Sequence, residues 1–278
     1  MIGKEEKFVG KRRLITVALF QHEMKQNRKN LLIWSLAVGG LGLACILLYS
    51  GMQESMAEMA ESFSSMGAFA DAFGMSTLSL ATLTGYFATE IGTIHGLGGG
   101  MFAAIVATVM LSKEEDGHTG EFLYSLPISR GKAVTVKALS LALTILLFQV
   151  VCGVLYVLGF VILGEDVPWQ EFMTFMGMQL VMNLEIAAIC FAVSAVSKKN
   201  KLGMGLGLAL FLYLYDLMAR VIPSLEDYID IGPYSYANAS QIFAGNELSA
   251  GAVAIGAAVL AIAVVMAYVG YLRRDLAS

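Results

Sequence analysis

The 278-residue chain is 57% hydrophobic and 14% charged, with a formal net charge of -4. A water-facing domain carries about 25% charged residues, so this composition excludes a chain whose surface is mostly solvated and assigns that surface to lipid. Its three cysteines, Cys45, Cys152 and Cys190, all fall in apolar runs, where they act as small hydrophobes and not as a disulfide framework or metal cluster.

The stretch 14–30 begins apolar and ends in Asn27-Arg28-Lys29-Asn30. It is predicted to lie along the membrane surface, where cations meet anionic lipid. Leu31 to Ser50 then supplies, without a charge, the roughly 20 apolar residues that cross a hydrocarbon layer about 30 Å thick. No small-residue cleavage pattern follows it, so it is read as a span and not as a cleaved signal. Next, Met52, Met56, Met59, Phe63, Met66, Ala70 and Phe73 recur at steps of four and three, which predicts an amphipathic helix on the outer side. A packing stripe explains its methionines better than a coiled coil or a soft-metal site. Further spans are expected at about 91–111, 134–163, 172–196, 202–222 and 250–272, making the chain an all-α integral membrane protein of six transmembrane helices in one domain, 1–278. Pro223, Tyr228, Pro233, Tyr234 and Tyr236 before the last span suit either an ordinary loop or a structured one with its rings at headgroup level.

Lysine and arginine are retained on the cytoplasmic side of a membrane. Of the 18 here, all but Arg220 lie before span one, between or flanking spans two and three, between four and five, or after six, whereas the intervening connectors carry Glu54, Asp71, Glu165, Asp227 and other acids. Both ends of the chain are therefore expected in the cytoplasm, with the protein in the plasma (inner) membrane.

Ionisable and polar groups within spans are functional candidates because a charge costs roughly 2.5–3.5 kcal/mol at the bilayer centre. Glu185, deep in span four, is read with Asn183 as part of a pathway or a latch, or as a bundle-facing carboxyl satisfied by a neighbour. Asp216 and Arg220 lie four residues apart on one face of span five, which suits a structural pair better than a substrate contact. Glu90 and His95 flank the expected outer mouth of span two and could line an exit. The pairs Gly96 with Gly100 and Gly203 with Gly207 let helix backbones approach, within one bundle or between subunits.

The most informative segment runs from Ser112 to Arg130, SKEEDGHTGEFLYSLPISR. Its acidic pair, its Thr119-Gly120-Glu121 turn and its Leu123-Tyr124-Ser125-Leu126-Pro127-Ile128-Ser129-Arg130 run resemble the loop joining spans two and three in permease subunits of the type-2 exporter family of ATP-binding-cassette transporters. His118 is a departure from that pattern. Phe20-Gln21-His22-Glu23, leading through Arg28-Lys29 into Leu31, is similar to the family's inner-surface elbow helix. Ile231-Gly232-Pro233-Tyr234 with Phe243-Ala244-Gly245 is similar to its outer segment.

The resemblance implies a permease that pairs with a second copy or homologue, is embedded in membrane lipid, and is driven by separate cytoplasmic ATPase subunits that bind ATP and Mg. It makes the loop after span two a coupling helix. Glu114, Glu115, Asp116 and Glu121 then offer anionic contacts, Phe122, Leu123 and Leu126 an apolar anchor, Pro127 a helix stop and Arg130 the motif's end. A solvated charged turn is the plainer reading, yet Phe122 and Leu123 fit it poorly. It also makes Gly203 and Gly207 candidates for the subunit interface.

The sequence contains no phosphate loop and no His-Glu-x-x-His zinc pattern, so no catalytic or metal site is expected in this chain, and nothing in it points to nucleic acid. Two other classes stay open: an ATPase-independent secondary transporter using Glu185, and a membrane immunity or sensor component that binds a toxic peptide without moving it. Orientation is directly testable. With Cys45, Cys152 and Cys190 replaced, a cysteine at Ser125 is expected to resist an impermeant thiol reagent on intact cells and to react once they are opened. Labelling from outside would reverse the threading.

Overall fold

The computed structural model describes residues 2–64, 67, 70, 78–120, 125 and 127–274, and their side chains except those of 2–13, 57 and 61–64. Four expected docking residues, Glu121, Phe122, Leu123 and Leu126, lie outside the described residues, as do Met66 and Phe73 of the expected outer stripe. Among the described residues all regular structure is helical. Six helices are long and apolar enough to cross a bilayer: Leu14–Met56, Leu83–Thr108, Arg130–Leu163, Trp169–Val196, Leu202–Val221 and Ala250–Arg273. They are called spans one to six. The chain is thus an all-helical, multi-pass membrane protein.

Local chemistry sets several helix ends. The Ser129 hydroxyl accepts from the Lys132 amide to start span three, and the Ser249 hydroxyl accepts from Ala252 to start span six. Gly164 ends span three at φ 74°, a left-handed conformation that glycine adopts without a side-chain penalty. Pro223 follows the extended Ile222 that closes span five and begins a 3-10 turn, Pro223–Ile231.

Close approaches at glycines establish the threading. A Cβ on Gly39 of span one would meet Cys152 of span three, and one on Gly159 would meet Ile46, so spans one and three run side by side in the same direction. Gly99 of span two faces Asn183 of span four, while the Ser194 hydroxyl at the end of span four accepts from the Leu111 amide just past span two. Those two are parallel as well. Gly256 stands at Glu185 and Gly270 at Val196, which aligns span six with span four. Odd and even spans therefore run oppositely. One end of the bundle gathers Lys113, Arg130, Lys137, Lys198, Lys199 and Arg274, and the other Glu165, Asp166, Glu226 and Asp227; these are called the basic and acidic ends.

Three segments differ from expectation. The stretch 14–30 is not set off from span one: the chain is helical from Ile2 to Ser64, with a π-helical turn at Ser35–Gly39. Leu19 packs with Ala133 and Val136 of span three, and Glu23 and Asn27 are buried, which requires protein contact and not a lipid surface. The outer helix begins as the same run, with Met56 buried but Met52 and Met59 exposed. Finally, Tyr234 and Tyr236 are not at headgroup level. The segment 232–240 dips between the spans, burying both rings and carrying the Tyr236 hydroxyl to Glu185, whereas Tyr228 stays exposed.

Dense packing at the glycines makes a prediction. A Cβ on Gly159 would lie 2.7 Å from Ile46 Cγ2, so Gly159→Leu is expected to destabilise the purified protein by about 1–3 kcal/mol in detergent unfolding. Gly177→Ala, which meets nothing within 4 Å, should leave the melting transition in place.

Candidate functional site

At the basic end, spans one and three and the segment just after span two meet in a buried charged knot. Lys137 lies seven residues into span three with its side chain wholly buried. Its ammonium donates to Glu23 Oε1 at 2.8 Å, to the Met110 carbonyl at 3.0 Å, and to Glu114. Lys113 binds the other oxygen of Glu23 and also Gln26. All three protons of Lys137 thereby reach an acceptor, the condition under which a buried ammonium is tolerated. Burial, and then the charge of Lys137, push the Lys113 ammonium below its ordinary value, while Glu23 pulls the other way.

The same loop is tied on its other side. Glu115 pairs with Arg274, whose Nη1 donates to the Ala195 carbonyl at 3.0 Å, and Arg130 Nη1 donates to the Arg274 carbonyl at 3.0 Å. Ser194 receives the amides of Leu111 and Ser112. The loop therefore leaves the bundle from a root held by spans one, three, four and six. This corrects the expectation for Glu114 and Glu115: their side chains are only 14% and 9% exposed and are spent on Lys137 and Arg274. Asp116 and Pro127 are exposed, and Arg130 is half-buried. His118 closes the turn at φ 53°.

The polar core is organised differently from expectation. His95 does not line a mouth: it is fully buried, with Tyr156 hydroxyl 2.9 Å from Nδ1 and Gln149 Oε1 3.1 Å from Nε2. Its ring stacks on Phe148. Gln149 passes the network on, donating to the Met176 carbonyl, so spans two, three and four are linked through one histidine. Glu90 is half-buried in a π-helical turn, Phe87–Ile91, near the acidic end.

Asn183 and Glu185 do not form a latch, because two residues of helix turn about 200°. Asn183 faces Gly99 of span two, whereas Glu185 faces Gly256 of span six and accepts from the Tyr236 hydroxyl at 2.6 Å. Burial, followed by the bond to Glu185 and its charge, raises the Tyr236 phenol. Arg220 clasps Asp216 through two bonds of 2.9 Å, the bidentate fit of guanidinium to carboxylate. Gln179 donates to the Ala237 carbonyl at 2.9 Å, pinning the dipping segment to span four.

Gly96 and Gly100 face inward, toward Gln179, Tyr234 and Ile186. Gly203 and Gly207 face outward, with open space where a Cβ would stand, while Gly205 between them packs on Thr108. Sequence reasoning missed Glu23, Lys137, Gln149 and Gln179 as structural centres. Lys137 did carry a signal, a cation inside the apolar start of span three, but nothing in the sequence paired it with a residue 114 positions earlier.

Among known families, the one described as ABC-2 family transporter protein matches residues 17–276. None of the curated proteins matches the chain.

The knot has a measurable energy. Lys137→Met leaves Glu23 and Glu114 facing each other without the ammonium between them, so it is expected to destabilise the purified protein by about 3–5 kcal/mol. Adding Glu23→Gln should recover part of that loss. Unfolding in detergent reads both, and additivity of the two changes would show that they do not interact.

Proposed function

We propose a division of labour for this chain, which belongs to the ABC-2 family of transporter proteins. It is the transmembrane permease subunit of an ATP-driven exporter. Two such subunits, identical or homologous, form the pathway. Separate cytoplasmic ATPase subunits, which bind ATP and Mg, dock at the loop between spans two and three and drive alternating access. The basic end faces the cytoplasm, with both chain termini, and the protein sits in the plasma (inner) membrane. The substrate is an amphiphile such as a drug, an antimicrobial peptide or a lipid.

One observation carries this reading: the root of the loop after span two is bound to four spans at once, through Glu23, Lys137, Ser194 and, at the end of span six, Arg274. A loop so rooted transmits a push to the whole bundle. Glu114 and Glu115 serve that root, which leaves Asp116, Glu121, Phe122, Leu123, Leu126 and Pro127 for contact with the ATPase. On span five, the outward Gly203 and Gly207 suit the second subunit. Use of Glu185 as an ion site has less support, since its carboxylate is buried and one oxygen is held by Tyr236.

The test is association. Glu121→Arg with Leu123→Arg is expected to abolish co-purification of the ATPase while leaving the melting temperature of the permease unchanged. Unaltered association in that variant would remove the docking role.

A further inference from the structure

Spans four and six touch closely at two levels. Gly256 stands against Glu185, and Gly270 against Ala195 and Val196. Between these contacts the surface of the pair is notched by an apolar groove of about 440 Å³. Its floor is small and buried, with Ala263 only 6% exposed, while Val196, Ile262 and Met266 around it are 59–67% exposed. Nothing among the described residues fills it. A furrow between two packed helices is open along its length to a single flexible hydrocarbon chain, and the exposed rims of Val196, Ile262 and Met266 give such a chain apolar walls.

The groove runs to the basic end. Val196, one of its walls, is the last residue of span four, and the next five are Ser197-Lys198-Lys199-Asn200-Lys201. All three lysines are exposed, and among the described residues none has a carboxylate partner. This sets them apart from Lys113, Lys137, Arg220 and Arg274, whose charges are neutralised within the chain. An apolar furrow ending in three uncompensated ammonium groups complements one kind of molecule, an acyl chain joined to an anion.

We propose that this groove binds an acyl chain of an anionic glycerophospholipid whose headgroup rests on Lys198, Lys199 and Lys201. The site is peripheral to the loop after span two. It depends on the membrane-spanning character of the helices and not on the ATPase partnership.

The experiment uses the purified full chain in neutral detergent, titrated with phosphatidylglycerol or phosphatidylcholine of identical acyl composition. Native mass spectrometry and thermal unfolding read the binding. Phosphatidylglycerol is expected to bind about tenfold tighter or more, from lysine–anion attraction near the surface. Replacing Lys198, Lys199 and Lys201 together by Ser should reduce it to the level of phosphatidylcholine. In the unaltered protein, phosphatidylglycerol carrying a photoactivatable acyl chain should label 189–196 and 259–266. Equal binding of the two lipids, or labelling confined to other spans, would overturn the proposal. So would cross-links between two copies through Val193, which would give the groove to a second subunit.

Discussion

A lysine that cannot reach water organises the basic end of this protein. Lys137 enters the bundle where span three is already apolar, and an isolated ammonium there would cost several kcal/mol. The chain meets that cost by bringing a carboxylate from each of two other segments, Glu23 and Glu114, to the same nitrogen, with the Met110 carbonyl as third acceptor. Each partner fixes something. Glu23 sets the register of span one along span three, and Glu114 draws in the first turn of the loop after span two. Because Glu23 also binds Lys113, the end of span two is held by the same carboxylate. The geometry of the basic end follows from satisfying one charge.

The acidic half of the bundle is held by neutral polar contacts and by glycine. The His95, Gln149 and Tyr156 network and the Gln179 bond to Ala237 cross between elements, whereas the ion pair of that half, Asp216 with Arg220, stays within span five. Spans without bulk at their contacts bring those groups into reach: Gly96, Gly99 and Gly100 form one side of span two against Gln179, Asn183 and Tyr234. Lipid offers no hydrophobic drive for helices to associate, so close packing and interhelical hydrogen bonds supply it. The aromatic cluster around Phe87, in edge or tilted contact with Tyr156, Phe160, Phe172, Phe175 and Phe243, adds to this where the dipping segment returns to the core.

The six spans were legible because their signal is local: about 20 apolar residues in a row report a helix in lipid whatever surrounds them. Pairing at four residues was legible for the same reason, and Asp216 with Arg220 forms the bond that one turn of helix allows. What sequence could not show was the direction in which a polar side chain points when every face of its helix is apolar. His95 lay at a supposed mouth and turned out to be the centre of a core, because Phe148, Gln149 and Tyr156, more than 50 residues away, enclose it. Glu114 and Glu115 read as free charges because their partners, Lys137 and Arg274, are distant in sequence. Asn183 and Glu185 read as a pair because they are neighbours, although helical rotation sends them to different spans.

Span five presents two different faces. Its inner stripe, Gly205, Ala209, Asp216 and Ala219, is buried against this bundle, while Phe211 and Met218 on other faces are 63% and 50% exposed. Two glycines, Gly203 and Gly207, stand on the outward side one turn apart with nothing near them. Glycine at such positions gives up about 1 kcal/mol of helix propensity relative to alanine and offers a lipid tail nothing in return. It does admit the backbone of another helix. Those two positions therefore suit the proposed contact with a second subunit better than they suit lipid.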